Sequence, residues 1–132
     1  MAYFTEYTSD GTGVLHRGEG IVTGADLIAA AAEHHRLEER ARKLRYGVVD
    51  FTDATEIQIS ATEAQLIAEE DKITAALSPL AIVAVIAPQD HVFGMSRMWE
   101  TFAEATGWST RVFRGRDEAL AWLRKQVPSA AS

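Results

Sequence analysis

The segment from Leu80 to Leu123 constrains the fold more than any other part of the chain. Leu80–Ala87 is an uninterrupted apolar run, which predicts a central strand that is covered on both faces. The residues that follow predict a helix over Val92–Thr106, a strand over Thr110–Phe113 and a closing helix over Arg116–Gln126. Strands that alternate with helices imply right-handed crossovers and a largely parallel sheet.

The first twenty residues predict a β-hairpin. Two strand-like segments, Tyr3–Tyr7 and Val14–Arg17, flank a loop that contains Asp10-Gly11, a common hairpin signal. The glycines of Gly18-Glu19-Gly20 predict a break after the second of these strands.

The middle of the chain predicts a helix, a strand and a second helix. Thr23 is a suitable N-cap, with Asp26 as its capping-box partner. A second short helix follows in the charged segment before the strand Tyr46–Phe51, and Ser60 or Thr62 begins the next long helix.

These elements predict an α/β fold with one domain over residues 1–127. Its sheet is five-stranded, mixed and mostly parallel, with an N-terminal hairpin and four to five helices. Residues 128–132 are expected to form a frayed tail.

The composition of the chain argues against several classes of function. The chain of 132 residues contains no cysteine, which removes disulfides and thiolate chemistry, and it is compatible with a cytoplasmic protein. The net charge of −6 disfavours nucleic-acid binding. No apolar run is long enough for membrane insertion, and the N-terminus does not resemble a signal peptide.

No catalytic residue, metal ligand or cofactor is predicted. Asp90, His91 and Ser96 carry triad-type groups, but their close spacing and the absence of a GxSxG motif argue against a hydrolase. No two of the four histidines have the spacing of a helical metal site, so surface or boundary positions are expected for them.

Ligands in open α/β sheets usually bind beyond the carboxyl ends of strands, near a reversal of strand order. Asp50 lies at the end of the predicted strand Tyr46–Phe51, and Asp53 lies in the loop that is expected to follow this strand as far as Ser60. Both are therefore binding candidates, although they also suit the organisation of a turn.

The helix after Leu80–Ala87 supplies four more binding candidates: Gly94, Arg97, Met98 and Trp99. Glycine inside a helix marks a close approach of a ligand or a neighbouring backbone, and close helix–sheet packing is the favoured explanation at Gly94. A stripe of Met and Trp side chains suits a core, an interface or an apolar pocket.

Several segments resemble the SpoIIAA-like family, a bacterial branch of the STAS-type fold, over residues 14–125. They are Val48–Ala54, Ala84–Pro88, Phe93–Trp99, Val112–Arg114 and Ala119–Leu123. The resemblance implies a binding or regulatory domain of STAS type.

In the anti-sigma-factor antagonists that name the fold, a phospho-acceptor serine lies in a segment D-[LF]-[ST]-x6-D-S-S-G-L. Asp50-Phe51-Thr52 matches its beginning, and Ser60 falls near the acceptor position. Gln58, Ile59 and Ala61 replace the family's acid, first serine and glycine.

The sequence therefore predicts a non-enzymatic binding domain whose partner is a protein or a small apolar molecule beside the helix Phe93–Phe102. One alternative is a switch phosphorylated at Ser60. Another is a small-molecule or lipid carrier, with a cavity lined by Met95, Met98, Trp99 and Trp122. Pairing of two copies through a helix face is compatible with each of these.

Overall fold

The computed structural model describes residues 2–128 and residue 130. A 3-10 turn, Glu104–Thr106, extends the fourth helix. In chain order the elements are β1 Tyr3–Tyr7, β2 Gly13–Thr23, α1 Gly24–His34, α2 Glu38–Lys43, β3 Tyr46–Gln58, α3 Ala61–Leu77, β4 Ile82–Ile86, α4 Asp90–Ala103, β5 Ser109–Phe113 and α5 Arg116–Gln126.

Within the described residues, the strands form one sheet in the order β1-β2-β3-β4-β5. β1 is antiparallel to β2, and every other neighbouring pair is parallel. The predicted α/β fold class, with its N-terminal hairpin and mostly parallel sheet, is confirmed. The strand order does not reverse, because each crossover steps to the next strand in the same direction.

This one-directional order decides where the helices lie. Right-handed crossovers that always step the same way place their helices on one face of the sheet, and α1, α3 and α4 pack side by side there. Of the helices that the structure describes, only α5, which follows the last strand, returns to pack on the opposite face against β4 and β5.

β4 connects the two cores. Val83 and Val85 belong to the core beneath α1 and α4, whereas Ile82, Ala84 and Ile86 pack in the second core with α5. All five side chains are buried, as the apolar run predicts for a strand covered on both faces. The strand begins later than expected, at Ile82, and Leu80 is 81% exposed.

β2 and β3 are longer than the sequence predicts. β2 continues through Gly18 and Gly20, where the register with β3 shifts and Gly20 takes a φ of 63°. The expected break is thus a bulge, which glycine accommodates without ending the strand. β3 continues to Gln58, so Asp50 and Asp53 lie within a strand, and the expected loop after Phe51 is wrong.

The two predicted helix starts are confirmed. Thr23 caps α1, and its Oγ1 accepts from the Asp26 backbone N–H at 3.3 Å, while the Asp26 carboxylate accepts from the Thr23 N–H at 3.2 Å. Ser60 and Glu63 form the same capping box at α3, with distances of 3.1 and 2.9 Å. Each box satisfies two backbone donors that the helix leaves free.

The tail prediction falls mostly outside the described residues, since 129, 131 and 132 are not among them. Ala130 is described, and it is buried in the second core with its N–H donating to the Val127 carbonyl at 2.9 Å. The frayed tail stays a prediction for the rest of the segment.

Gly94 does not lie at a close helix–sheet contact. A methyl group built on it would meet no atom within 4 Å, and the residue is exposed. The favoured explanation for this glycine, close packing, is therefore wrong. Gly13 shows the opposite geometry, since a methyl group there would lie 2.3 Å from Cζ of the buried Tyr46 ring.

These two glycines give opposite predictions for substitution by alanine. Gly13→Ala forces the Tyr46 ring to move in a packed core and should lower the free energy of unfolding by about 1–3 kcal/mol. Gly94→Ala adds a better helix former in open space and should raise it by about 1 kcal/mol. Urea unfolding of both variants measures the two changes, and a destabilised Gly94→Ala would contradict the described packing of α4.

Candidate functional site

A cavity of about 100 Å³ lies between the sheet and the layer formed by α1, α3 and α4. It extends from Leu44 and Ala81, next to the amino ends of β3 and β4, to Ile57 and Ile59 at the carboxyl end of β3. Its wall is largely apolar, with Leu27, Ala30, Val49, Ile67, Met95 and Trp108 among its residues.

Asp71 places a carboxyl group on this apolar wall. The side chain extends from α3, and the residue is 6% exposed. The Trp99 Nε1–H, on α4, donates to Oδ2 at 3.2 Å. Among the described residues no lysine, arginine or histidine forms an ion pair with it. Burial, with a smaller contribution from the charge of Glu70, raises the pKa of Asp71 to about 7.

Ser96 adds a second polar group to the same wall. It precedes Trp99 by three residues, which places both on one side of α4. The residue is 5% exposed, and its hydroxyl has no hydrogen-bond partner within the described part of the chain. A buried hydroxyl without a partner costs free energy, which a bound molecule with a donor or acceptor would recover.

Two buried histidines also contact the cavity. The Nε2 atoms of His16 and His34 are 2.9 Å apart, so one imidazole donates to the other, and Thr5 Oγ1 lies 2.9 Å from the second ring nitrogen of His16. The ring of Tyr3 stacks on His16 with 5.3 Å between centroids. Burial lowers the pKa of His16 to about 3 and that of His34 to about 4, so both rings are neutral at pH 7.

The sequence did not identify Asp71, His16 or His34 as cavity residues. The expected surface or boundary position is wrong for His16 and His34, which are both buried. The only available signal was periodicity: Asp71 follows Ile67 by four residues on the buried stripe of α3, and His16 follows Val14 by two in β2. Periodicity alone does not predict which polar residues on an apolar face will be buried.

The four binding candidates on α4 lie in different environments. Trp99 lies on the cavity wall. Gly94 and Arg97 are exposed, and the Arg97 guanidinium pairs with Glu100 at 3.0 Å. Met98 is half-buried and does not contact the cavity.

Of the four residues that were expected to line a carrier cavity, two contact the cavity and two do not. Met95 and Trp99 contact the cavity, and Met98 does not. Trp122 packs against Phe113 in the second core, on the opposite face of the sheet. The reason is topological, because α5 is the helix that crosses to that face.

Asp50 and Asp53 lie away from the cavity. The Asp50 carboxylate pairs with Arg116 of α5 at 2.9 Å and accepts from the Thr52 backbone N–H, also at 2.9 Å. It therefore ties β3 to α5 on the second face. Asp53 is exposed in β3, beside Glu19 of β2 in the register.

Two of the three triad-type residues have partners elsewhere in the fold. Asp90 pairs with Arg114, and the His91 Nε2 lies 3.0 Å from the Ile57 carbonyl oxygen. Ser96 is on the cavity wall. In the part of the chain that the structure describes, no group of three or more acidic or histidine side chains is arranged to hold a metal ion. Among the same residues, no helix is long and apolar enough to cross a membrane.

Comparison with solved structures identifies the fold. The anti-sigma factor antagonist SpoIIAA in its unphosphorylated form superposes with a TM-score of 0.58 at 12% identity, covering 93% of this chain and 98% of that one. The fold is that of SpoIIAA. Its phosphorylated form, from Bacillus, gives 0.57 at 13% identity, covering 93% and 100% of the two chains. The resemblance read from the sequence is confirmed for the fold.

An uncharacterised DUF3478-family protein with a SpoIIAA-like fold, from Shewanella loihica, has 21% identity and a TM-score of 0.49, with 92% of each chain covered. No protein-family model matches this chain, and the search of curated proteins also finds no match.

Asp71→Asn should make the chain more stable at alkaline pH. Because the folded pKa of about 7 lies above the unfolded value of about 4, the contribution of Asp71 is present at low pH and is lost as pH rises through 7. Asparagine keeps the shape without the buried charge, so the gain should be on the order of 1–4 kcal/mol near pH 8 and should shrink near pH 5.

Urea unfolding at both pH values measures this difference, with the exposed Asp117→Asn on α5 as the matched control. An Asp71→Asn variant that is equally destabilised at both pH values would contradict the predicted cost of the charge.

Proposed function

We propose that this chain is a non-enzymatic binding or regulatory domain of STAS type that holds a small apolar molecule in the cavity beside α4. The observation that carries the proposal is the cavity itself, with its largely apolar wall between three helices and the sheet. An enclosed apolar space of roughly 150 Å³ is enough to bind benzene, so a cavity of this scale suits a molecule with a few heavy atoms.

The chemistry of the wall supports binding rather than turnover. Small-molecule sites are mostly apolar, with a few polar groups that fix orientation. Here the polar groups are Asp71, Ser96 and the neutral pair of His16 and His34. They do not form a nucleophile with an adjacent base, since the Ser96 hydroxyl has no partner among the described residues.

The position of the cavity suggests how binding could regulate a protein partner. Asp71 on α3 and Trp99 on α4 hold these helices together by a hydrogen bond across the cavity wall. A molecule that contacts both would alter the spacing of the two helices, whose outer sides are exposed. SpoIIAA, which has the same fold, is an anti-sigma factor antagonist, and a protein partner for this domain is consistent with that role.

Filling the cavity should remove binding. Ala30→Leu extends a half-buried wall residue of α1 into the space, whereas Ala29→Leu adds the same atoms on the exposed side of the same helix. We expect n-butanol to raise the melting temperature of the wild type and of Ala29→Leu, and to have at least a tenfold weaker effect on Ala30→Leu. Equal responses of the two variants would place the bound molecule elsewhere.

A second candidate function is a phosphorylated switch at Ser60. Ser60 is exposed at the N-terminus of α3, where a phosphate is favoured by the helix dipole and free N–H groups. SpoIIAA itself has been solved in a phosphorylated form. In this chain the Glu63 carboxylate already accepts a hydrogen bond from the Ser60 backbone N–H, and it would repel a phosphate.

The switch predicts different partners for two substitutions. Ser60→Asp imitates the charge of a phosphate, and Ser60→Ala removes the acceptor hydroxyl at a cost of about 1 kcal/mol in capping. Pull-downs from a lysate of the source cells should then recover different proteins with the two variants. Identical profiles, with both variants folded by circular dichroism, would contradict phosphorylation control.

A further inference from the structure

We propose that the molecule bound in the cavity is a small organic cation, an apolar group with one protonated amine, and that the Asp71 carboxylate is its counterion. The proposal rests on the proposed function, because it names the chemical class of ligand for the same cavity. It is carried by the position of Asp71 on the wall, by the lack of a cationic partner for it among the described residues, and by the polar and aromatic groups around it.

The carboxyl group of Asp71 has an incomplete set of partners. Buried carboxylates are normally paired with a cation or held by several donors. Here the Trp99 indole is the one side-chain donor that the described residues provide, at 3.2 Å. None of their ion pairs includes Asp71, and the neighbouring charge is the like charge of Glu70. The site therefore lacks one positive charge.

A structural role does not account for an acid at this position. The Trp99 N–H needs only a neutral acceptor, which asparagine would supply without the cost of burying a charge. Three other titratable groups on the wall, Tyr3, His16 and His34, are neutral at pH 7, because burial raises the pKa of the tyrosine and lowers the pKa of both histidines. None of them offers Asp71 a positive charge.

The surroundings of Asp71 suit an ammonium group. The unpartnered hydroxyl of Ser96, one helical turn before Trp99, can accept a hydrogen bond from an N–H donor. The rings of Tyr3, Phe51 and Trp99 also line the cavity, and aromatic faces attract cations. The rest of the wall would contact the apolar part of the ligand.

An anionic ligand is excluded by the same charges, since a second carboxylate beside Asp71 would be repelled. A neutral alcohol fills the apolar space equally well but leaves the carboxylate without its counterion. The site therefore selects ligands by their charge.

The experiment is a titration of the full chain near pH 8 with n-butylamine, n-butanol and n-butyrate, followed by NMR. At this pH an alkylamine remains protonated, as lysine does. We expect the wild type to bind the amine at least about tenfold more tightly than the alcohol, which corresponds to about 1.4 kcal/mol. Butyrate should bind more weakly than the alcohol.

Two variants test the assignment of the carboxylate. Asp71→Asn should lose the preference for the amine and retain binding of butanol, and Ser96→Ala should weaken amine binding a few-fold. Asp117→Asn removes an exposed carboxylate on the opposite face and should keep the full preference, which controls for attraction of amines to a chain of net charge −6.

The outcomes separate this inference from the proposed function. If butanol binds the wild type as tightly as butylamine, or if Asp71→Asn keeps the preference, the cation assignment is overturned while a ligand cavity stands. If none of the three compounds binds in the cavity, both proposals are overturned.

Discussion

The burial of β4 on both faces is the constraint on which the rest of the structure depends. Its five apolar side chains alternate between two cores, so the sheet needs helices on both sides. Crossovers that all step in the same direction place α1, α3 and α4 on one face, and α5 packs on the other. Three helices must then cover a twisted sheet whose strands differ in length from five to thirteen residues. The cavity lies in the layer where this covering is incomplete.

Much of the fold could be predicted because its signals are local. The apolar run of β4, the glycine-rich hairpin and the boxes Thr23–Asp26 and Ser60–Glu63 each depend on neighbouring residues. The lengths of β2 and β3 could not be predicted in this way. Their outer halves pair with each other beyond the end of β4, where Asp53 is exposed and Glu19 is half-buried. Strand length in that region is decided by a partner distant in sequence.

The candidate site also combines features that neighbouring residues predict with features that depend on residues distant in sequence. Trp99 was identified on the correct helix, but Gly94 and Arg97 face solvent and Asp50 binds Arg116 on the other face. The groups that define the cavity chemically, above all Asp71, come from elements that meet only in the folded chain. A periodic pattern places such residues on a face, and it does not reveal whether an opposing helix will complete their hydrogen bonds.

Asp71 connects the physical chemistry with the proposed function. A chain optimised for stability alone would gain from a neutral residue at this position, because ionisation of a buried carboxyl group opposes folding. Retaining the acid next to Trp99 and the unpartnered Ser96 hydroxyl is the pattern expected of a binding site, where stability is lost to keep polar groups available for a ligand.

The central claim is that the space beneath α1, α3 and α4 binds a small molecule, and the three tryptophans of the chain test it directly. The indole rings of Trp99 and Trp108 contact the cavity, whereas Trp122 lies in the second core. Their indole N–H resonances can be followed by NMR while n-butylamine is added. The account predicts saturable shifts for Trp99 and Trp108 and an unmoved Trp122. Equal shifts of all three signals, or no shift at saturating concentration, would contradict it.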